Sequence, residues 1–320
     1  MILVVDKPVG PSSAQVVAII KHAFRKHARA TGRREPRVGH GGTLDPMASG
    51  VLPVLVGEAT KVAPFLLSAR KAYEATIQFG SNTDTQDAEG KTVDSFSTEG
   101  LTAQRVSDAM ATFIGVQPQT PPMFSALKVE GTPLYERARA GEEIERAPRT
   151  IEIFAFALLG YDALQVAATV RVDCSKGTYI RTLGFDLGRK LATGAHLTAL
   201  RRTQSGPFMI AEALSVEQIE AELAAGRMPP HRDLLAALDG IDRVEIDTVT
   251  ELRVRRGQPV LWADLSVSAE TKGPVALVSQ QKDLVAVVEQ AGAPADDAKI
   301  KILRGFSRSE TTAQGDDSSG

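Results

Sequence analysis

The stretch GHGGTLDPMASGVL, residues 39–52, sets one carboxylate, Asp45, among glycines and small residues, directly before a proline. A carboxylate can act as nucleophile or general base, and glycines around it leave room for something large to approach. An aspartate before proline is also a common turn former, so Asp45 alone establishes no chemistry. The chain carries no GxSxG elbow, P-loop, HExxH or dinucleotide fingerprint after a strand, so hydride transfer, phosphoryl transfer and zinc hydrolysis lose their usual handles. The five histidines show no metal spacing, and the single cysteine, Cys174, excludes an internal disulfide and a cysteine-rich zinc site. No metal and no cofactor is expected.

The elements that must position Asp45 are legible in part. ILVVDKPVGPSS reads as a short buried strand, a Pro/Gly turn, and Ser12 or Ser13 capping a helix with apolar Val16, Val17, Ile19 and Ile20. KAYEATIQFG alternates strictly, placing Tyr73, Ala75, Ile77 and Phe79 on one strand face. SNTDTQDAEGKTV has loop composition, and LTAQRVSDAMATFIG has helical composition. Residues 117–150 are punctuated by Pro and Gly, with a short helical patch near Leu134 to Ala140, and form an excursion from the core. A second strand carries Val166, Ala168, Val170, Val172 and Cys174 on one face. It turns through SKGT into a helix with Ile180, Leu183, Leu187 and Leu191 at helical spacing, which puts Tyr179 and Arg181 in its first turn. SVEQIEAELAAG is helical. From about Asp242 the short runs RVEIDTV, QPVLWA, GPVALVS and LVAVVEQ predict a separate β-rich unit, and the polar, acidic end predicts a disordered tail at 309–320.

Composition bounds the partner. With 320 residues, 43% of them hydrophobic, the chain can bury one large core and a second small one. Lys and Arg total 37 against 39 Asp and Glu, a formal charge of -2, so a nucleic-acid reader needs its cations clustered locally. Such a cluster exists: Lys21, Arg25, Lys26, Arg29, Arg33, Arg34 and Arg37 share their stretch with one acid, Glu35. No apolar run is long enough to span a bilayer and no signal-type apolar stretch follows Met1, so a cytoplasmic location without membrane contact is expected.

Taken in order, DKPVGPSS, GHGGTLDPMASGVLPVLVGEATK, the tyrosine of KAYEA, PPMFSALKVEGTPLYERARAG and SKGTYIRTLGFDLGRKL followed by ALRRTQSGPF resemble the bacterial TruB-type tRNA pseudouridine synthases. The resemblance runs from Ile2 to about Phe208. A weaker one links the C-terminal part to the PUA-type RNA-binding domain. It implies an α+β fold, a mostly antiparallel central sheet flanked by helices, divided as a catalytic domain (1–240) with an RNA-gripping insertion (117–150) and a PUA-like domain (241–308). It also implies isomerisation of uridine to pseudouridine in the T-loop of tRNA, at tRNA position 55, without cofactor, by a monomer needing no guide RNA or protein partner. A tRNA-folding role could coexist with the chemistry.

The same resemblance assigns the site. Asp45 matches the catalytic aspartate, which could attack C1′ of the ribose or C6 of the base, the target being flipped out of its stack. Arg181 matches the arginine that pairs with it, and an opposite charge at that range favours an ionised carboxylate. Tyr73 matches the tyrosine that stacks on the base and is a candidate for removing the C5 proton. Tyr179 and Leu200 match positions that bound the base, and His40 one that inserts near the flipped nucleotide. Lys61 ends the GxATK pattern and could meet phosphate or brace the loop. Gly41 and Ser49 stand where threonine is common in the family. The basic segment from Lys21 to Arg37 is longer than the family pattern leads one to expect and reads as an extra phosphate-contacting arm.

Overall fold

The computed structural model describes the chain except residues 126, 130, 140, 141, 143, 266, 268–270, 272, 291–297 and 308–320. The expected tail and a few insertion positions therefore lie outside the described residues.

The first strand, β1 (Ile2–Lys7), is apolar without alternation from Ile2 to Val5 because both its faces are covered there. Ile2 and Val4 pack with Leu66 and Phe208. Leu3 and Val5 face helix α1 (Ser13–Ala30) through Val16 and Ile20, and a later helix through Val216 and Ile219. Each such side chain contributes roughly 1.5–3 kcal/mol by leaving water. Ser12 caps α1 by accepting from the Gln15 N–H, while the Gln15 side chain answers to the Ser12 N–H.

Among the described residues the central sheet has nine strands. After β2 (Val38–His40) come β3 (Ala48–Val56), β4 (Lys71–Phe79), β5 (Gly115–Gln119), β6 (Arg149–Asp162), β7 (Ala167–Cys174) and β8 (Ala195–Ser205). The spatial order is β1-β3-β8-β4-β7-β6-β5, with β2 beside β3 and Phe208–Met209 folded back on β8. Every pairing is antiparallel except β3 with β8. The alternation in β4 is realised: Tyr73, Ala75, Ile77 and Phe79 are all buried, Glu74 is exposed, and Thr76 and Gln78 are half-buried. Against this face packs α2 (Ile180–Leu191), with Leu183 and Leu187 inward. β8 is the strand that matters most for the site and was not evident from its residues. Its register sets Leu200 beside Ala48 and Ala75, and Arg202 between Gly50 and Tyr73.

The last part forms a four-stranded sheet from β9 (Asp242–Ile246), β10 (Val275–Ser279), β11 (Leu284–Gln290) and β12 (Ile300–Gly305), in that order. QPVLWA is not a strand. Pro259 lacks a donor, and Asp264 Oδ2 accepts from the Leu261 N–H to cap a 3-10 turn at Trp262–Asp264, so Val260 and Trp262 fill the core instead. Ala276, Leu284, Val287 and Phe306 join the core that holds Ile2, Leu66 and Phe208, which docks the small sheet on the back of the large one.

Candidate active site

Asp45 lies in the loop between β2 and β3, lifted between two buried apolar anchors, Leu44 and Met47. Three buried polar side chains brace this loop. Ser13 Oγ donates to the Leu44 carbonyl at 3.0 Å and accepts from the Leu44 N–H at 2.8 Å. Lys7 Nζ donates to the carbonyls of Pro8 (2.8 Å), Pro46 (3.4 Å) and Ala48 (2.6 Å). Arg202 donates through Nε to Val51 (2.7 Å), Nη1 to Thr43 (3.1 Å) and Nη2 to Gly42 (3.3 Å). Fixing a catalytic side chain this way lowers the cost of orienting it at reaction. Burial pushes Lys7 down to about 8, with Asp45 opposing that shift.

Two of the glycines are required by the protein's own packing. A Cβ at Gly41 would sit 2.8 Å from Leu66 Cδ1, and one at Gly50, where φ is +103°, 2.2 Å from the Arg202 carbonyl oxygen. Gly41 and Gly50 thus let Leu66 and β8 close on the loop, whereas Gly42 lines the cavity beside Asp45, and a Cβ there would meet nothing nearer than Arg202 Nη1 at 3.7 Å. Ser49 keeps a hydroxyl in use, accepting from Arg201 Nη1 at 3.2 Å.

Arg181 extends from the first turn of α2 and is 4% exposed. Its Nε donates to Asp45 Oδ2 at 3.0 Å, and Nη2 stands 2.9 Å from the same oxygen. Nη1 donates to the Thr85 carbonyl (2.8 Å) and lies 3.5 Å from Asp87 Oδ2; Nη2 donates to the Phe124 carbonyl (2.7 Å). Asp87, itself buried, is held by the Thr85 hydroxyl (2.5 Å) and the Glu89 N–H (3.1 Å). The guanidinium is thus fixed between two carboxylates. The Asp45 side chain stays 38% exposed, and among the described residues no hydrogen bond reaches its Oδ1.

That oxygen's carboxylate opens on a cavity of about 340 Å³, lined among others by Tyr73, Tyr179, Arg181, Leu200 and Arg202. Tyr73 projects from β4 and Leu200 from β8, both nearly buried. Tyr179 caps α2, and the amide of Gln119 fixes its backbone, donating to its carbonyl (3.0 Å) and accepting from its N–H (2.8 Å). Burial holds the Tyr73 phenol above its ordinary value of 10, the Arg202 guanidinium working against it. Lys71, on the cavity wall, gives its ammonium to the carbonyls of Leu66, Leu67 and Ala69, and burial takes it down to about 8.

Five of the seven sequence-derived site residues, Asp45, Tyr73, Tyr179, Arg181 and Leu200, therefore meet at one cavity. His40 stands near it on β2, its Nδ1 accepting from the Gly42 N–H at 3.4 Å. Lys61 does not: it pairs with Glu58 (2.6 Å) within the 3-10 helix Gly57–Val62 and donates to the Gly305 carbonyl (2.9 Å), tying that helix to β12. Sequence reasoning missed Lys7, Ser13, Asp87, Gln119 and Arg202. Lys7 and Ser13 lie in the quoted DKPVGPSS, which was their available signal; Asp87 hides among turn-forming acids.

A mostly antiparallel sheet carrying an aspartate–arginine pair at a base-sized cavity fits a nucleotide-modifying enzyme. Residues 27–180 match the TruB family pseudouridylate synthase N terminal domain, and residues 181–242 the tRNA pseudouridylate synthase B C-terminal domain. A protein named tRNA pseudouridine synthase B from Geobacter sulfurreducens is 40% identical over 313 residues, spanning 95% of this chain and 98% of its own. One of the same name from Syntrophotalea carbinolica is 48% identical over 68% of each chain. A chain in a solved Cbf5-Nop10-Gar1 complex superposes with TM-score 0.72 at 25% identity, over 96% of this chain and 84% of that one. The chain belongs to the TruB family of pseudouridylate synthases.

Proposed function

We propose that this protein isomerises uridine to pseudouridine in the T-loop of tRNA, with Asp45 as nucleophile, acting as a monomer without guide RNA. The observation that carries this reading is the Asp45–Arg181 pair at 2.9 Å, on the floor of a cavity walled by Tyr73, Tyr179 and Leu200. The isomerisation breaks the N1–C1′ bond, forms a C5–C1′ bond and moves one proton from C5 to N1, so it is balanced without an external reagent. The detached uracil must be retained through that exchange, which suits two aromatic side chains and a leucine around it. Arg181 holds Oδ2 and leaves Oδ1 to attack C1′ or C6. Tyr73 supplies a stacking face and is a candidate for removing the C5 proton, its own hydroxyl proton passing on toward N1 as the C5 proton arrives. His40 takes the stacking place vacated by the flipped nucleotide.

In this reading residues 1–240 form the catalytic domain, 117–150 grip the RNA, and 241–308 add a PUA-like RNA-binding domain. Nucleoside chromatography of an unmodified tRNA transcript, after incubation with the protein and no cofactor, tests the activity. Pseudouridine at the T-loop uridine alone is expected; its absence with tRNA bound would overturn the proposal.

A further inference from the structure

The basic segment that singled itself out in the sequence is not used by the cavity. In the structure Lys21, Arg25 and Arg29 recur every fourth residue on the outer face of α1, with Lys26 beside them, and Arg33, Arg34 and Arg37 continue the charge beyond it. All but the half-buried Arg25 are exposed. Glu35 is the one acid of the stretch, and Arg25 occupies it through two contacts of 3.0 Å. Six cations thus remain on one end of a chain whose formal charge is only -2.

The segment is ordered before any partner arrives. The Thr31 and Arg33 N–H groups donate to the carbonyls of His27 and Ala28, at 3.0 and 2.9 Å. The Arg37 carbonyl accepts from the Gly57 N–H at 2.8 Å, and the opposite face of α1 is anchored by buried His27 against the Leu223 carbonyl. Preorganisation of this kind cuts the ordering cost of binding.

The chemistry identifies the partner. Cations about 6 Å apart along a helix suit a polyanion with regularly spaced charges. Phe24 is buried, and the exposed His22 is the one aromatic ring the segment shows to solvent, so a run of cations with so little stacking surface fits a duplex backbone better than a single strand. Position adds to this. α1 begins at Ser13, which holds Leu44 next to the nucleophile, and its 18 residues carry the chain roughly 27 Å away. A tRNA with its T-loop at Asp45 has further stems to offer at that distance.

We propose that residues 21–37 form a second RNA-contact surface, taking phosphates of a duplex stem outside the T-arm of the same tRNA. This rests on the functional reading above. The test compares Arg33→Gln/Arg34→Gln with wild type on two RNAs, a full-length tRNA transcript and an isolated T-arm stem-loop, measuring affinity against salt and turnover. The expected result is weaker binding of full-length tRNA, with a log–log salt slope smaller by about 1–2, since each duplex phosphate contributes about 0.9. Binding and turnover of the stem-loop stay as in wild type. Unchanged affinity and slope for full-length tRNA would overturn the proposal, as would equal weakening on both RNAs. Failure of wild type to form pseudouridine in the stem-loop would instead count against the functional reading, and the binding comparison would still judge the surface.

Discussion

The guanidinium of Arg181 is clamped between two carboxylates, 2.9 Å from Asp45 Oδ2 and 3.5 Å from Asp87 Oδ2. Asp87 thereby fixes the group that fixes the nucleophile. Arg181→Lys, which loses the planar fork, should lower turnover roughly a hundredfold with tRNA affinity little changed. Asp87→Asn should lower it by less than Arg181→Lys does, through misplacement alone. Single-turnover rates alongside binding constants check both; a fall in affinity matching the fall in rate would contradict the assignment.

Arg202 pins two carbonyls of the catalytic loop, Gly42 and Thr43, and that of Val51 on β3, from a fully buried position. Arg202→Met should leave them without a donor and cost about 3 kcal/mol or more in a denaturant melt. Gly50→Ala, which drives a Cβ to 2.2 Å from the Arg202 carbonyl oxygen at positive φ, should be destabilising by about 2 kcal/mol or more. Gly57→Ala, with φ +65° but open space around it, should cost about 1 kcal/mol.

His40 carries a pH signature. Burial first, and then the Arg202 guanidinium, hold its imidazole below the ordinary 6.5. The unfolded chain then binds more protons than the folded one as pH falls through 6.5, so the stability is present above that value and is lost below it. His40→Asn, which keeps an acceptor for Gly42, should flatten the stability curve between about pH 7 and 5. Denaturant melts across that range check it; parallel curves would contradict a depressed, half-buried imidazole.

Tyr73 separates stacking from proton transfer. Tyr73→Phe keeps the ring and should retain RNA affinity while losing roughly 10²-fold or more in rate if the hydroxyl moves the C5 proton. Tyr73→Leu should lose both rate and hold on the base. A Phe variant as fast as wild type would restrict Tyr73 to stacking.

Much of this was legible in the residues for physical reasons. The alternation of β4 and the helical spacing of α2 report burial, which a sequence records locally, and so Tyr73 and Arg181 could be placed on their elements. The family pattern then supplied Asp45 and the cavity wall. β8 escaped because its bulges at Leu197/Ala199 and Arg202/Gln204 break the alternation, and because a buried arginine reads as an exposed one. Lys7, Ser13 and Arg202 act on backbone carbonyls 31 to 160 positions away, or within the same turn, and no side-chain pattern marks such partners.

The most direct measurement is tritium release from a tRNA transcript labelled at uracil C5, comparing wild type with Asp45→Asn without added cofactor. Wild type should release tritium from the T-loop uridine, and Asp45→Asn should fall at least roughly a thousandfold while still binding tRNA. Equal release by both would remove Asp45 from its role, and release by neither, with tRNA bound, would contradict the proposed activity.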